Sequence, residues 1–113
     1  MMRAVIQRAG EPPVSVVIVN YQSYGELRAC LESLQRAPDA PHVVVVDHES
    51  NAAAAAAVRT DFPDVRLLPV SGNDGFAAGV NRGARESRAS FLILLNPDCI
   101  VEPSTCANVV SGN

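Results

Sequence analysis

Apolar residues fall along this chain in short blocks separated by polar and glycine- or proline-rich stretches. Val14–Val19 is a nearly continuous β-branched run, the pattern of a strand buried on both faces. Beyond it, Leu27, Cys30, Leu31 and Leu34 recur at helical spacing. Ser23 and Glu26 form a capping-box pair ahead of them, and Pro38 and Pro41 close the helix. His42–Val46 is the second strand, unbroken valine from Val43 onward, with Asp47 at its carboxyl-terminal end. Ala52–Ala57 with Val58 predicts a second helix, because alanine is the strongest helix former. Its small side chains anchor weakly, so this is expected to be the least firmly packed element.

Val65–Val70 reads as a third strand, and Pro69 places it at a sheet edge or a strand end. Gly72–Gly83 leads into a third helix running to about Arg88, and Phe91–Leu95 is a fourth strand terminated by Asn96, Pro97 and Asp98. A further helix is expected after Pro103. Residues 1–13, ending in Gly10, Glu11, Pro12 and Pro13, read as a flexible N-terminal arm, which leaves 14–113 as one domain. The order β-α-β-α-β-α-β, with connections of crossover length, predicts a Rossmann-like α/β fold. Its mainly parallel sheet would lie between two helical layers. In such sheets ligands sit beyond the carboxyl ends of the strands, where strand order reverses. Three polar strand ends are expected to line that crevice: Asn20-Tyr21, Asp47-His48 and Asn96-Pro97-Asp98.

Composition narrows the chemistry. The chain has 113 residues, 48% of them hydrophobic and 19% charged, as in an ordinary globular domain. Its net charge of −3 gives no basic field to gather nucleic acid, and five aromatic residues (3 Phe, 2 Tyr) make a poor base-stacking platform. All nine basic residues are arginine. That excludes a P-loop, a protein kinase and Schiff-base catalysis, each of which needs a lysine. Cys30, Cys99 and Cys106 have neither zinc-ligand nor disulfide-scaffold spacing and read as free thiols in a reducing, cytoplasmic setting. Neither a signal peptide nor a transmembrane run is expected.

Asp47 ends a strand of valines, where packing needs no carboxylate. It can accept a hydrogen bond from a nucleotide base or ribose, or serve as an anion or cap for the helix that follows. Gly72, Gly75, Gly79 and Gly83 do not match the dinucleotide fingerprint; once helical, the last three share a face and would let the backbone approach the sheet. Asn73, Asn81 and Arg82 add polar reach there, and a guanidinium can bind a pyrophosphate bidentately. Asn96-Pro97-Asp98 is either a turn or a single-carboxylate site for Mg2+ or Mn2+ completed by water and diphosphate oxygens. His42 and His48 have no partner at catalytic or metal spacing, Arg85 and Arg88 read as a solvated helix edge, and no Gly-x-Ser-x-Gly elbow is present.

Taken together, VSVVIVNY at Val14–Tyr21, VVVVDHES at Val43–Ser50, GNDGFAAGVNRG at Gly72–Gly83 and FLILLNPDCIVEP at Phe91–Pro103 resemble the donor-binding half of family 2 glycosyltransferases, in particular the rhamnosyltransferase-like branch. The resemblance implies the N-terminal half of a GT-A fold and an inverting transfer from a UDP- or dTDP-linked sugar, with Mg2+ or Mn2+ as cofactor. It places Asn20, Tyr21 and Asp47 at the base. Asn73, Gly75, Phe76, Gly79, Asn81, Arg82 and Gly83 flank the nucleotide and diphosphate, and Asn96 and Asp98 hold the metal.

The chain departs from the family pattern where Ala52 stands in place of a second acid. It also carries no convincing general base after Cys99. The expectation is therefore a donor-binding fragment, catalytically silent alone, of an enzyme of polysaccharide or cell-surface glycan synthesis, peripheral at the inner face of the membrane. A degenerate nucleotide-binding or assembly domain is the alternative. Surface left uncovered by truncation would favour a homo-oligomer.

Overall fold

A computed structural model describes residues 2–7, 14–21, 24–36, 41–48, 51–70, 75–87, 89 and 91–101. The elements are β1 (Met2–Gln7), β2 (Val14–Asn20), α1 (Tyr24–Gln35), β3 (His42–Asp47), α2 (Ala52–Asp61), β4 (Arg66–Pro69), α3 (Gly75–Glu86) and β5 (Phe91–Leu95). They form a five-stranded sheet in the order β1-β5-β2-β3-β4. The four strands β5, β2, β3 and β4 are parallel, as their crossover spacing predicts. β2 lies at their middle, and the chain steps outward from it to β3 and β4 before crossing back to β5.

The apolar runs are buried on both faces, and alternation along each strand divides them between two cores. Val14, Val16 and Ile18 of β2, with Val43 and Val45 of β3, pack against Leu27, Cys30, Leu31 and Leu34 of α1. On the opposite face Val17, Leu92 and Leu94 meet Val80 and Ala84 of α3. α2 buries only Ala55 and Val58, in keeping with the weak anchorage expected of alanine, and Phe62 just beyond it is buried as well. Arg28 reaches across from α1, pairing with Asp61 and lying over the Phe62 ring, 5.5 Å from its centre.

The N-terminal segment differs from the sequence expectation. Part of the supposed flexible arm, Met2–Gln7, forms β1 and pairs antiparallel with β5, from Met2↔Leu95 to Gln7↔Phe91. A polar, irregular stretch becomes a strand here because a partner edge remote in sequence satisfies its backbone. Pro69 does mark an edge, since β4 is the outermost strand on the other side. Ser23 and the helix expected after Pro103 lie outside the described residues.

α3 sits unusually close to the sheet. A Cβ on Gly83 would stand 2.4 Å from Val17 Cγ1 and 3.3 Å from Val46 Cγ2. By contrast, a Cβ on Gly25 of α1 meets nothing within 4 Å. Gly83→Ala is therefore expected to lower the unfolding free energy by about 1–3 kcal/mol through overpacking. Gly25→Ala should leave it unchanged or raise it by up to about 1 kcal/mol. Urea denaturation of the two variants checks both.

Candidate functional site

Parallel pairing sets the three polar strand ends side by side. Asn20 is in register with Asp47, and Ile18 with Leu95, so Asn96 leaves β5 level with the end of β2. Asp47 and the segment carrying Asp98 consequently share one rim of the sheet, at the strand where order reverses.

Asp47 is 1% exposed, and its carboxylate is held from two sides. Asn20 Nδ2 donates to Oδ1 at 3.2 Å, and the Tyr24 hydroxyl donates to Oδ2. The backbone closes the same corner: His48 N–H donates to Asn20 O and Val70 N–H to Asp47 O, each at 2.9 Å. Asp47 does not cap α2. Asn51 does, accepting from Ala54 N–H at 3.0 Å. Of the two readings open in the sequence, the helix cap is thus taken by another residue, leaving a preorganised buried carboxylate at a strand end.

Beside it the Tyr21 and His48 rings stack, with centres 4.4 Å apart and planes 9° from parallel. The outer part of Tyr21 is open, the residue being 41% exposed. Both ring nitrogens of His48 are shielded from solvent and lack a hydrogen-bond partner among the described residues. Gly79 backs the imidazole: a Cβ there would come within 3.1 Å of both Nε2 and Val19 Cγ1.

Residues 96–101 turn over the α1 side of the sheet. Cys99 N–H donates to Asn96 O at 3.1 Å, while Cys99 and Val101 enter the core and Asp98 and Ile100 remain exposed. Ser33, buried on α1, pins this course. Its hydroxyl donates to Cys30 O at 2.6 Å and accepts from Val101 N–H at 2.9 Å. Burial pushes the Cys30 thiol up to about 11, and the negative charge of Asp98 acts in the same direction.

Residues 15–111 match the sequence pattern of Glycosyl transferase family 2. The chain belongs to that family. It is 31% identical over 98 residues to an uncharacterized glycosyltransferase of Haemophilus influenzae, a match covering 86% of this chain and 33% of the relative. It is 24% identical to the putative glycosyltransferase EpsH of Bacillus subtilis, over 88% of this chain and 30% of that protein. Among solved structures, the mannosyltransferase PcManGT of Pyrobaculum calidifontis, in complex with GDP-Man and Mn2+, superposes with a TM-score of 0.70 at 27% identity, over 88% of this chain and 31% of that one. TarS of S. aureus has the same fold, with a TM-score of 0.74 at 18% identity over 88% of this chain and 32% of its own. The chain thus spans about a third of the length of these relatives. The fold is the GT-A glycosyltransferase arrangement that the resemblance implied.

The structure brings some of the family 2 site residues together and leaves others apart. Asn20, Tyr21 and Asp47 adjoin one another, and Asn96 and Asp98 leave the neighbouring strand on the same rim. Gly79 and Gly83 give the close approach to the sheet, but Gly75 does not. It has open space around it and a φ of +85°, so its glycine serves the backbone turn into α3. Asn81 and Arg82 are exposed on α3, Asn81 on the side away from the Gly79–Gly83 stripe, and neither joins the strand-end cluster. Phe76 falls in the first turn of α3, and Asn73 lies outside the described residues.

Asp98 is an exposed carboxylate that forms no ion pair among the described residues, where the salt bridges are Arg28–Asp61 and Arg66–Glu86. Together with the Asn96 side-chain oxygen it offers hard donors suited to Mg2+ or Mn2+. No group of three or more His, Cys, Asp or Glu among the described residues could enclose a metal, so this donor set fits only an ion whose remaining ligands come from water and diphosphate.

Two positioning residues escaped the sequence reading. Tyr24 looked like an unremarked first-turn residue of an amphipathic helix, and nothing local tied it to Asp47, 23 positions away. Ser33 left a trace, a hydroxyl beside the apolar stripe of Cys30 and Leu34.

Tyr24→Phe is expected to lower the unfolding free energy by about 1–3 kcal/mol, because it strips a donor from a buried carboxylate. Urea denaturation reads this. The Cys30 pKa is raised on folding, so the native state holds its proton longer than the unfolded chain does. Stability from this thiol is complete below about pH 9, the ordinary value, and fades as pH rises toward about 11. The loss amounts to about 2–3 kcal/mol. Unfolding curves across that window should show it for the wild type and not for Cys30→Ala.

Proposed function

We propose that this chain is the donor-binding region of an inverting glycosyltransferase that takes its sugar from a UDP- or dTDP-linked donor. The observation that carries the reading is the convergence of Asn20, Tyr21, Asp47 and the Asn96–Asp98 segment on one rim of a family 2 fold. In this reading the Asp47 carboxylate, oriented by Asn20 and Tyr24, accepts from the ring N–H of the pyrimidine. The exposed Tyr21 ring lies against the base. Asn96 and Asp98 hold Mg2+ or Mn2+, as the Mn2+ in the PcManGT complex supports. When bound, the cation supplies positive charge against the departing diphosphate. Asn73, Asn81 and Arg82 are assigned to the diphosphate side by resemblance alone. The acceptor is a hydroxyl, in the rhamnosyltransferase-like reading one on a growing polysaccharide or cell-surface glycan, and no residue here is assigned as its general base.

One observation favours a second reading, a nucleotide-binding domain without chemistry. Ala52 is an exposed methyl where the family carries a second acid, and both Asp47 oxygens already accept hydrogen bonds within the fold. Calorimetric titration with UDP, dTDP and GDP, each with and without Mn2+, separates the readings. The donor-site reading expects Mn2+ to tighten binding about tenfold or more, and Asp98→Ala to abolish that gain while leaving metal-free binding intact. Binding that ignores metal in both proteins supports the second reading.

A further inference from the structure

His48 is the residue whose surroundings the fold alone does not explain. An imidazole always carries two hydrogen-bonding edges, one donor and one acceptor when neutral. Here both nitrogens are shielded and unpartnered among the described residues, although folded proteins rarely leave such groups unmatched. The position is nonetheless well defined. The His48 N–H is bonded to Asn20 O, its ring is stacked on Tyr21, and Nε2 faces the space that Gly79 leaves free.

We infer that the His48 imidazole binds the ribose hydroxyls of the nucleoside diphosphate, an assignment that rests on the donor-site reading. Three observations lead there. The ring directly follows Asp47, the residue assigned to the base, so the next group of the nucleotide falls within its reach. Phosphate oxygens only accept hydrogen bonds and could match one nitrogen; vicinal hydroxyls both donate and accept and match two. Among the described residues from 48 to 57, only His48 and Asn51 carry polar side chains, and Asn51 is committed to Ala54 N–H. With Ala52 unable to hydrogen-bond, His48 is the polar group of that segment left to read the sugar ring.

Because the two nitrogens are covered, the ribose reaches them only as the Tyr21 ring moves aside. Tyr21 lies past the last pair of the β2–β3 ladder, Asn20↔Asp47, and is 41% exposed. The stack is thus a cover over the imidazole, exchanged for contacts to the nucleotide.

The test is a double cycle on the full chain: wild type and His48→Phe, titrated with UDP and GDP and with their 2′,3′-dideoxy counterparts. Phenylalanine keeps the stack on Tyr21 and removes both nitrogens, so the thermal midpoint should hold or rise. Affinity of the variant for the ribonucleotide should fall about tenfold. The wild type should lose about tenfold on going to the dideoxy ligand, and the variant less than about twofold. Imidazole 15N spectra of the wild type need no variant: the His48 resonances should shift with the ribonucleotide and not with its dideoxy form. Equal affinity of variant and wild type, equal dideoxy sensitivity of the two, or His48 resonances that ignore the hydroxyls would each overturn the ribose assignment while leaving the donor site standing. A wild type that binds neither UDP nor GDP would overturn the donor site together with it.

Discussion

The contact between Gly83 and Val17 is the constraint on which the arrangement of the site depends. With no side chain at 83, α3 comes against β2 and β3 at a distance that a single methyl group would forbid. α3 is also the crossover that carries the chain from β4, at one edge of the parallel set, to β5 on the far side of β2. Seated closely, it buries Val17, Leu92 and Leu94 and brings Gly79 against His48. A crossover held farther out would leave that second core thin and the imidazole without its backing. Glycine here contributes by absence, and interiors packed at crystal-like density register the loss of such an absence strongly.

Polar groups in the interior complete what packing begins. Asn20 and Asp47 are buried against each other at the strand ends, and Ser33 is buried on α1. Each would cost stability if left unpaired, and each instead fixes the path of a remote segment. Asp47 gathers β2, the start of α1 and the residue after β4 around one carboxylate and its backbone carbonyl. Ser33 ties α1 to Val101, 68 positions away, and so settles where the chain goes after Asp98. The same hydrogen bonds that offset burial therefore aim the side chains at the rim.

What the sequence made legible follows from range. β2, β3 and β5 were readable because strands buried on both faces need unbroken apolar runs, and that need is local. Asn20, Asp47 and Asp98 were readable as a group because parallel order alone puts strand ends together. β1 was not, since MRAVIQ has little pattern of its own and becomes a strand through pairing with β5, some ninety positions later. Tyr24 was missed for the same reason: its role lies in a bond to another element. The cap of α2 was divided in the sequence between Asp47 and residues nearer the helix, and geometry gave it to Asn51, three positions before the amide it binds. Among the glycines, spacing identified a shared face but could not tell Gly75, which turns the backbone, from Gly79 and Gly83, which admit a neighbour.

The pairing of β1 with β5 also orders events during synthesis. β2 and β3 emerge close together and can zip as soon as α1 connects them, whereas Met2 waits for Leu95 before its ladder exists. The first-made strand is therefore the last to find its place, and closing that span carries the largest loop entropy in the sheet. Until then the edge of β5 that faces β1, and the leading segment itself, are open to mispairing with other nascent chains.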